Sequence, residues 1–226
     1  MLEPEILGVG WDALAYEALD HSGENAALAD FLAAKLGFRR GKLVDLGAGP
    51  GDIPVAICRR LKAVRVTAVE RASAMLLLAS AKIARSGFAG RIALLRADAK
   101  NTKLPDGSFD LVFCNNLIHH IPEPDLIFRE IARLCRSGGG LFLKDLRRPG
   151  TPGELKALVN KGARADTPRQ KGLLRDSLHA ALRIEEVRAY ARRAGLTGFT
   201  LRAVGDRHWQ LHRPAACKLR KRAVRR

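Results

Sequence analysis

The sequence predicts a doubly wound α/β domain. Its seven-stranded sheet is mostly parallel with an antiparallel last strand, helices cover both faces, and a helical insertion follows the fifth strand. Three observations predict it. Between Lys42 and Leu146, short apolar runs alternate with stretches whose apolar residues recur at helical spacing, the rhythm of βαβ units and so of a parallel sheet under helices. A glycine-rich turn, VDLGAGPG at 44–51, stands at the first strand-to-helix junction. The chain then closes on two apolar runs, TGFTLRAV and RHWQLHR, separated by Gly205 and Asp206, and strands that close in sequence pair antiparallel.

Taken in order, residues 11–36 read as helical, with a break near His21, Ser22 and Gly23. KLVDLG (42–47), VRVTAVE (64–70), RIALLRAD (91–98), FDLVFCNN (109–116) and GLFLKDL (140–146) are the five strands of the alternating region. Helical spacing fills the gaps after the first, second and fourth. The last of these helices, about 125–136, places Ile127, Ile131 and Leu134 on one face and is expected to stop at Gly138, Gly139 and Gly140. After Pro149 the rhythm changes. TPGE at 151–154 is a capping box with proline at the first helical position, and Thr167-Pro168 is a second start signal. Two helices over 151–182 therefore form an insertion suited to a lid at the C-terminal edge of the sheet, before a final helix at about 184–194.

A chain of 226 residues, 47% of them hydrophobic, suits one sizeable core rather than two, and we expect a single domain over 1–213 whose N-terminal helices occupy 1–40. Its composition excludes wholesale disorder, and no apolar run is long enough to span a membrane. The N-terminal segment MLEPEILGVGWD carries two early acids, Glu3 and Glu5, and no apolar signal core, so a cytoplasmic location is expected. Cys58, Cys114, Cys135 and Cys217 lack any CxxC or Cys/His spacing; reduced thiols are expected, and no metal site. The formal charge is +17, and seven of the cations fall between Arg213 and Arg226 without an acid. Residues 214–226 thus form a basic tail able to seek RNA or another polyanion.

The chemistry concentrates at the C-terminal ends of the strands. Gly47, Gly49 and Gly51 let the backbone turn sharply and let a ligand approach main-chain atoms. Asp52 stands where a dinucleotide fingerprint wants a small residue, and no GK[ST] follows, so the loop suits a nucleoside cofactor without a pyrophosphate. Glu70 ends the second strand, where a carboxylate can accept from both ribose hydroxyls; Asp98 ends the third and Asn115 the fourth. Successive strand ends of this kind converge on one crevice.

As a set these segments resemble the class I S-adenosylmethionine-dependent methyltransferases. VDLGAGPG is similar to that family's first motif, VTAVE to its second-strand acid, LRADAKNTKLPDGSFDLVFCNNLIHHIPEP to its third and fourth strands, and IARLCRSGGGLFLKD to the helix and fifth strand that follow. The resemblance covers Lys42 to Asp145 and is closest to the small-molecule branch that includes the ubiquinone and menaquinone biosynthesis enzymes. It implies a Rossmann-like fold with S-adenosyl-L-methionine as cofactor. Gly47, Ala48, Gly49 and Gly51 would lie against the cofactor's methionine end and ribose, with Asp45 toward its amino group. Glu70 would hold the ribose, Arg71 or Met75 would pack near the adenine, Asp98 and Ala99 would read it, and Asn115 would touch the methionine portion. Tyr16 would cover the cofactor from the N-terminal helix.

For an acceptor that must lose a proton, His120 is the first candidate base and His119 its neighbour, since both follow the fourth strand at the sheet edge. Asp145, Arg147 and Arg148 leave the fifth strand at the same edge, where an arginine could hold an anionic group. Ser177 and His179 of the insertion, and Arg207, His208 and Trp209 of the last hairpin, are candidate pocket walls. The fourth strand ends in FCNN rather than the Asn/Asp-Pro-Pro-aromatic pattern of enzymes that methylate adenine or glutamine amino groups. A small-molecule acceptor leads. An RNA or other macromolecular acceptor docked by the basic tail, and a non-catalytic cofactor-binding interaction protein, are the alternatives.

Overall fold

The computed structural model describes residues 22–162 and 168–216. Tyr16 with the rest of residues 1–21, residues 163–167 of the insertion, and residues 217–226 of the basic tail lie outside the described residues. Helix α1 (Ser22–Ala34) leads into β1 (Arg40–Leu46), α2 (Asp52–Arg60), β2 (Ala63–Glu70), α3 (Ser73–Ser86), β3 (Ile92–Arg96) and β4 (Phe109–Asn115). A 3-10 turn (Ile118–His120) precedes α4 (Pro124–Leu134) and β5 (Cys135–Leu146). The insertion helices α5 (Pro152–Gly162) and α6 (Pro168–Ala180), then α7 (Ile184–Arg193), β6 (Thr200–Val204) and β7 (His208–Arg213) complete the order.

The strands form one seven-stranded sheet in the order β3-β2-β1-β4-β5-β7-β6. The first five run parallel, and β7 lies antiparallel between β5 and β6. The chain thus turns back twice at one edge, and the order reverses between β1 and β4, the position at which doubly wound sheets open a crevice. One apolar layer packs α1, α2 and α3 on one face through Leu32, Ile57, Leu111 and Phe142, with the Phe113 and Phe142 rings stacked 5.1 Å apart. The opposite layer packs α4 and α7 through Ile127, Phe128, Ile131 and Val187, with Trp209 wholly buried among them. Residues of opposite parity along each strand supply the two layers, which is why the strands read as continuous apolar runs.

Two expectations change. Gly138, Gly139 and Gly140 do not separate helix from strand: α4 ends at Leu134 and β5 begins at once with Cys135. The glycines lie inside β5, where its register against β4 slips between Phe109 and Leu111. Gly139 is required there because a Cβ would stand 2.7 Å from Cys135 Sγ and 2.9 Å from the Arg136 carbonyl oxygen. Strand β3 is also shorter than expected, and Asp98 falls on the turn beyond it, its carboxylate accepting from the Lys100 N–H at 2.9 Å. Half of the predicted capping box forms: the Glu154 N–H donates to Thr151 Oγ1 at 3.1 Å, but its carboxylate accepts from the Gly150 N–H at 2.7 Å rather than from Thr151.

Candidate active site

The crevice is built from the glycine turn upward. The Gly47 and Ala48 N–H groups both donate to the Val69 carbonyl at 2.9 Å, bending the chain across the end of β2. Gly47 has φ +78°, and a Cβ on it would meet Leu117 at 2.9 Å. Gly49 has φ +53° but open space where a Cβ would project, so glycine is needed there for conformation, and the volume beyond it is left to a ligand. Glu70 fixes the turn: one carboxylate oxygen accepts from Gly49 N–H at 3.0 Å, the other from Arg71 and Ala72 N–H at 2.8 Å each. A carboxylate offers about four lone-pair positions, so Glu70 retains acceptor capacity toward the crevice. Arg71 reaches Asp98 at 3.7 Å and Lys100 reaches it at 3.1 Å, while Ala99 is buried beneath them.

Two acceptors line the crevice without donors. Asp45 Oδ2 and Asn115 Oδ1 are buried and make no hydrogen bond. Burial, and secondarily the charge of Glu70, push the Asp45 carboxyl up to about 8. Unsatisfied buried acceptors are costly, so this pair marks a place for a donor that the described residues do not supply.

At the neighbouring strand ends, Asp145 draws the loop after β4 onto β5. It accepts from Ile118 N–H and Leu146 N–H at 2.6 Å each, and its Oδ1 lies 2.6 Å from His119 Nδ1. Burial disfavours its charge, but His119 and the two amides outweigh that and hold its carboxyl below the usual range. An ionised carboxylate can only accept, so His119 donates from Nδ1, which in the neutral ring leaves Nε2 as the acceptor nitrogen. The His120 ring stands 4.0 Å from that of His119; burial, then the neighbouring imidazole, push it down to about 4.

The structure thus brings together Asp45, Gly47, Ala48, Gly49, Gly51, Glu70, Arg71, Asp98, Ala99, Asn115, His119, His120 and Asp145 along one edge. Other candidates have different engagements. Arg147 donates to Glu154 at 3.1 Å and to the Asp206 carbonyl at 3.2 Å; Arg148 donates to the Ala181 carbonyl at 2.8 Å and to Glu186 at 3.3 Å. They tie the two ends of the insertion to the body of the fold. Ser177 is buried on α6, whereas His179 on the same helix is exposed. His208 is half-buried at the start of β7. Sequence reasoning missed Lys144 and Leu117 at this edge, and Glu130, which holds the loop after Asp98 by accepting from Thr102 N–H at 2.8 Å and Thr102 Oγ1 at 2.6 Å. A signal existed for Lys144, a lone cation inside the apolar run GLFLKDL. Among the described residues there is no cluster of metal-ligating side chains and no helix long and apolar enough to cross a membrane.

Residues 44–143 match the family model of the methyltransferase domain. The chain is 30% identical over 212 residues to 27-O-demethylrifamycin SV methyltransferase of Amycolatopsis mediterranei, covering 85% of this chain and 74% of that protein. It is 31% identical over 144 residues to the ubiquinone biosynthesis O-methyltransferase of Xanthomonas oryzae pv. oryzae, covering 61% of this chain and 56% of that one. Among solved structures, a SAM-dependent methyltransferase from Aquifex aeolicus superposes with TM-score 0.65 at 16% identity, covering 90% of this chain and 97% of that one. The phosphoethanolamine N-methyltransferase 2 of Haemonchus contortus, solved with S-adenosyl-L-methionine, superposes with TM-score 0.63 at 20% identity over 80% of this chain and 38% of that one. The chain belongs to the class I S-adenosylmethionine-dependent methyltransferases. The crevice fits that cofactor: Asp45 and Asn115 lack donors, the space beyond Gly49 is open, and Glu70 has an acceptor position left.

Proposed function

We propose that this methyltransferase modifies an oxygen nucleophile on a small-molecule acceptor in the cytoplasm, with His119 as the group that takes the acceptor's proton. The observation that carries the reading is the buried His119–Asp145 contact of 2.6 Å at the strand end beside the cofactor crevice. The relatives named as O-methyltransferases agree with an oxygen acceptor, and the three described cysteines, all free thiols, agree with a reducing compartment.

In this reading Asp45 and Asn115 hold the cofactor's amino-acid end, Glu70 its ribose, and Asp98 with Ala99 its adenine. When bound, S-adenosylmethionine supplies a methyl group on a sulfonium, which departs as a neutral thioether. Asp145 keeps the His119 proton on Nδ1, orients the ring and stabilises the imidazolium formed when Nε2 accepts the hydroxyl proton. Alignment at the crevice provides most of the acceleration, and the base about 10²–10⁴-fold. His120, held neutral at pH 7 by burial, is too weak a base to lead and serves as a wall of the acceptor pocket.

The test is turnover of S-adenosylmethionine to S-adenosylhomocysteine against a panel of phenolic and alcoholic acceptors. The His119→Gln and Asp145→Asn variants should lose about 10²-fold or more in kcat while binding S-adenosylhomocysteine as the wild type does. Unchanged kcat in His119→Gln would overturn the role of the base.

A further inference from the structure

The pairing of His119 with Asp145 serves any acidic hydroxyl and does not by itself choose an acceptor; the charge beside it does. Three cations leave the end of β5. Arg147 and Arg148 are committed to Glu154, Glu186 and two carbonyls. Lys144 is not: among the described residues no hydrogen bond or ion pair reaches its ammonium, although the residue is half-buried. Register sets it between Asn115 of β4 and Gln210 of β7. Register partners share a sheet face, so Asn115, Lys144 and Gln210 form one polar row at the edge.

Among the described residues the ammonium has no counter-charge in contact. His208, two residues along β7 from Gln210, is pushed down to about 4 by burial, then by Lys144 and Arg207, so it is neutral at pH 7. The acids whose charge reaches His208 are Asp145 and Glu24. Asp145 is occupied by His119 and two amides on the other face of β5, and Glu24 lies exposed in the first turn of α1. A partly buried cation that gives up water without gaining an anion costs free energy, and a ligand carboxylate would offset that cost with a charge-assisted hydrogen bond.

We propose that Lys144 is the specificity residue of the acceptor site, and that the methyl acceptor carries a carboxylate which Lys144 binds while its hydroxyl faces His119. Lys144 and Asp145 are consecutive on β5 and stand on opposite faces, so the two functional groups of one acceptor are held on separate flanks of the same strand end. This inference rests on the small-molecule reading above.

The experiment is an equilibrium titration of the full chain, loaded with S-adenosylhomocysteine, with 3,4-dihydroxybenzoate and with its neutral methyl ester. The wild type should bind the carboxylate at least about 10-fold more tightly than the ester, Lys144→Met should bind both alike, and Lys144→Arg should restore the preference. Equal binding of acid and ester by the wild type, binding of neither, or a preference that survives in Lys144→Met overturns the proposal. A rise in Tm with S-adenosylhomocysteine in every variant shows that each folds with its cofactor site intact. Loss of that rise in Lys144→Met alone would assign the lysine to the cofactor and also overturn the proposal. Its absence in the wild type would instead sink the methyltransferase reading itself.

Discussion

Asp45 shows how far a single residue can be read. Its place at the end of β1 is plain in VDLGAGPG, but its protonation state is not, because that depends on burial and on Glu70 across the turn. With its carboxyl pushed up to about 8, Asp45 is protonated in the free protein at pH 7. An ammonium placed against it favours the carboxylate, so binding of S-adenosylhomocysteine should release a proton and tighten as pH rises from 6 toward 8. Calorimetry in buffers of different ionisation enthalpy reads the release directly, and Asp45→Asn should abolish it. If no proton is released, Asp45 does not hold the amino group. The two histidines make a related point. Sequence position favours His120 because it follows the fourth strand at the sheet edge, yet His119 is the one whose Nδ1 meets Asp145. Which ring turns toward a residue 26 positions away is settled by the 3-10 turn and by two amides pinned to the same carboxylate.

At the scale of elements, the strands and helices of the alternating region were legible because each satisfies one periodicity. The glycines of β5 misled for a local reason: three in a row mimic a helix stop, and only the slipped register and the contact between Gly139 and Cys135 show that they form an irregularity inside a strand. The link between α4 and the loop after β3 was illegible, since it joins Glu130 to Thr102 without any sequence motif. Burial disfavours the Glu130 charge, but Arg133 and the Thr102 donors hold its carboxyl below the usual range. Glu130→Ala would leave the Thr102 donors buried and unpaired and take a carboxylate from Arg133, at a cost of about 2–4 kcal/mol. Chemical denaturation should report that loss. Affinity for S-adenosylhomocysteine should fall with it, because the same loop carries Asp98 and Ala99; stability within about 0.5 kcal/mol of wild type would show that the network is not structural.

For the whole molecule, buried titratable groups set a stability profile that composition does not suggest. His120 and His208 bind a proton near 6.5 when unfolded and near 4 when folded. Each contributes stability that is present above 6.5 and is lost as pH falls toward 4. Asp45 has the opposite sign: its folded value of about 8 lies above the unfolded 3.8, so its contribution is present below 3.8 and is lost as pH rises through 8. His120 and His208, joined by His212, which burial also lowers, outweigh the Asp45 carboxyl on the acid side, and between pH 6.5 and 8 that carboxyl dominates, so Tm should peak at about pH 6.5. Asp45→Asn should remove the alkaline fall and His208→Gln should shrink the acid one; a flat profile would contradict these burials. By itself the sequence determined the doubly wound fold and the strand ends at which the proposed site lies, because periodicity and the glycine turn are local patterns and strand ends in such a sheet converge by topology. The tertiary structure decided which cations are committed, which histidine meets Asp145 and which polar atoms stay without partners. Those properties arise from distances between residues far apart in the chain, and no local pattern encodes them.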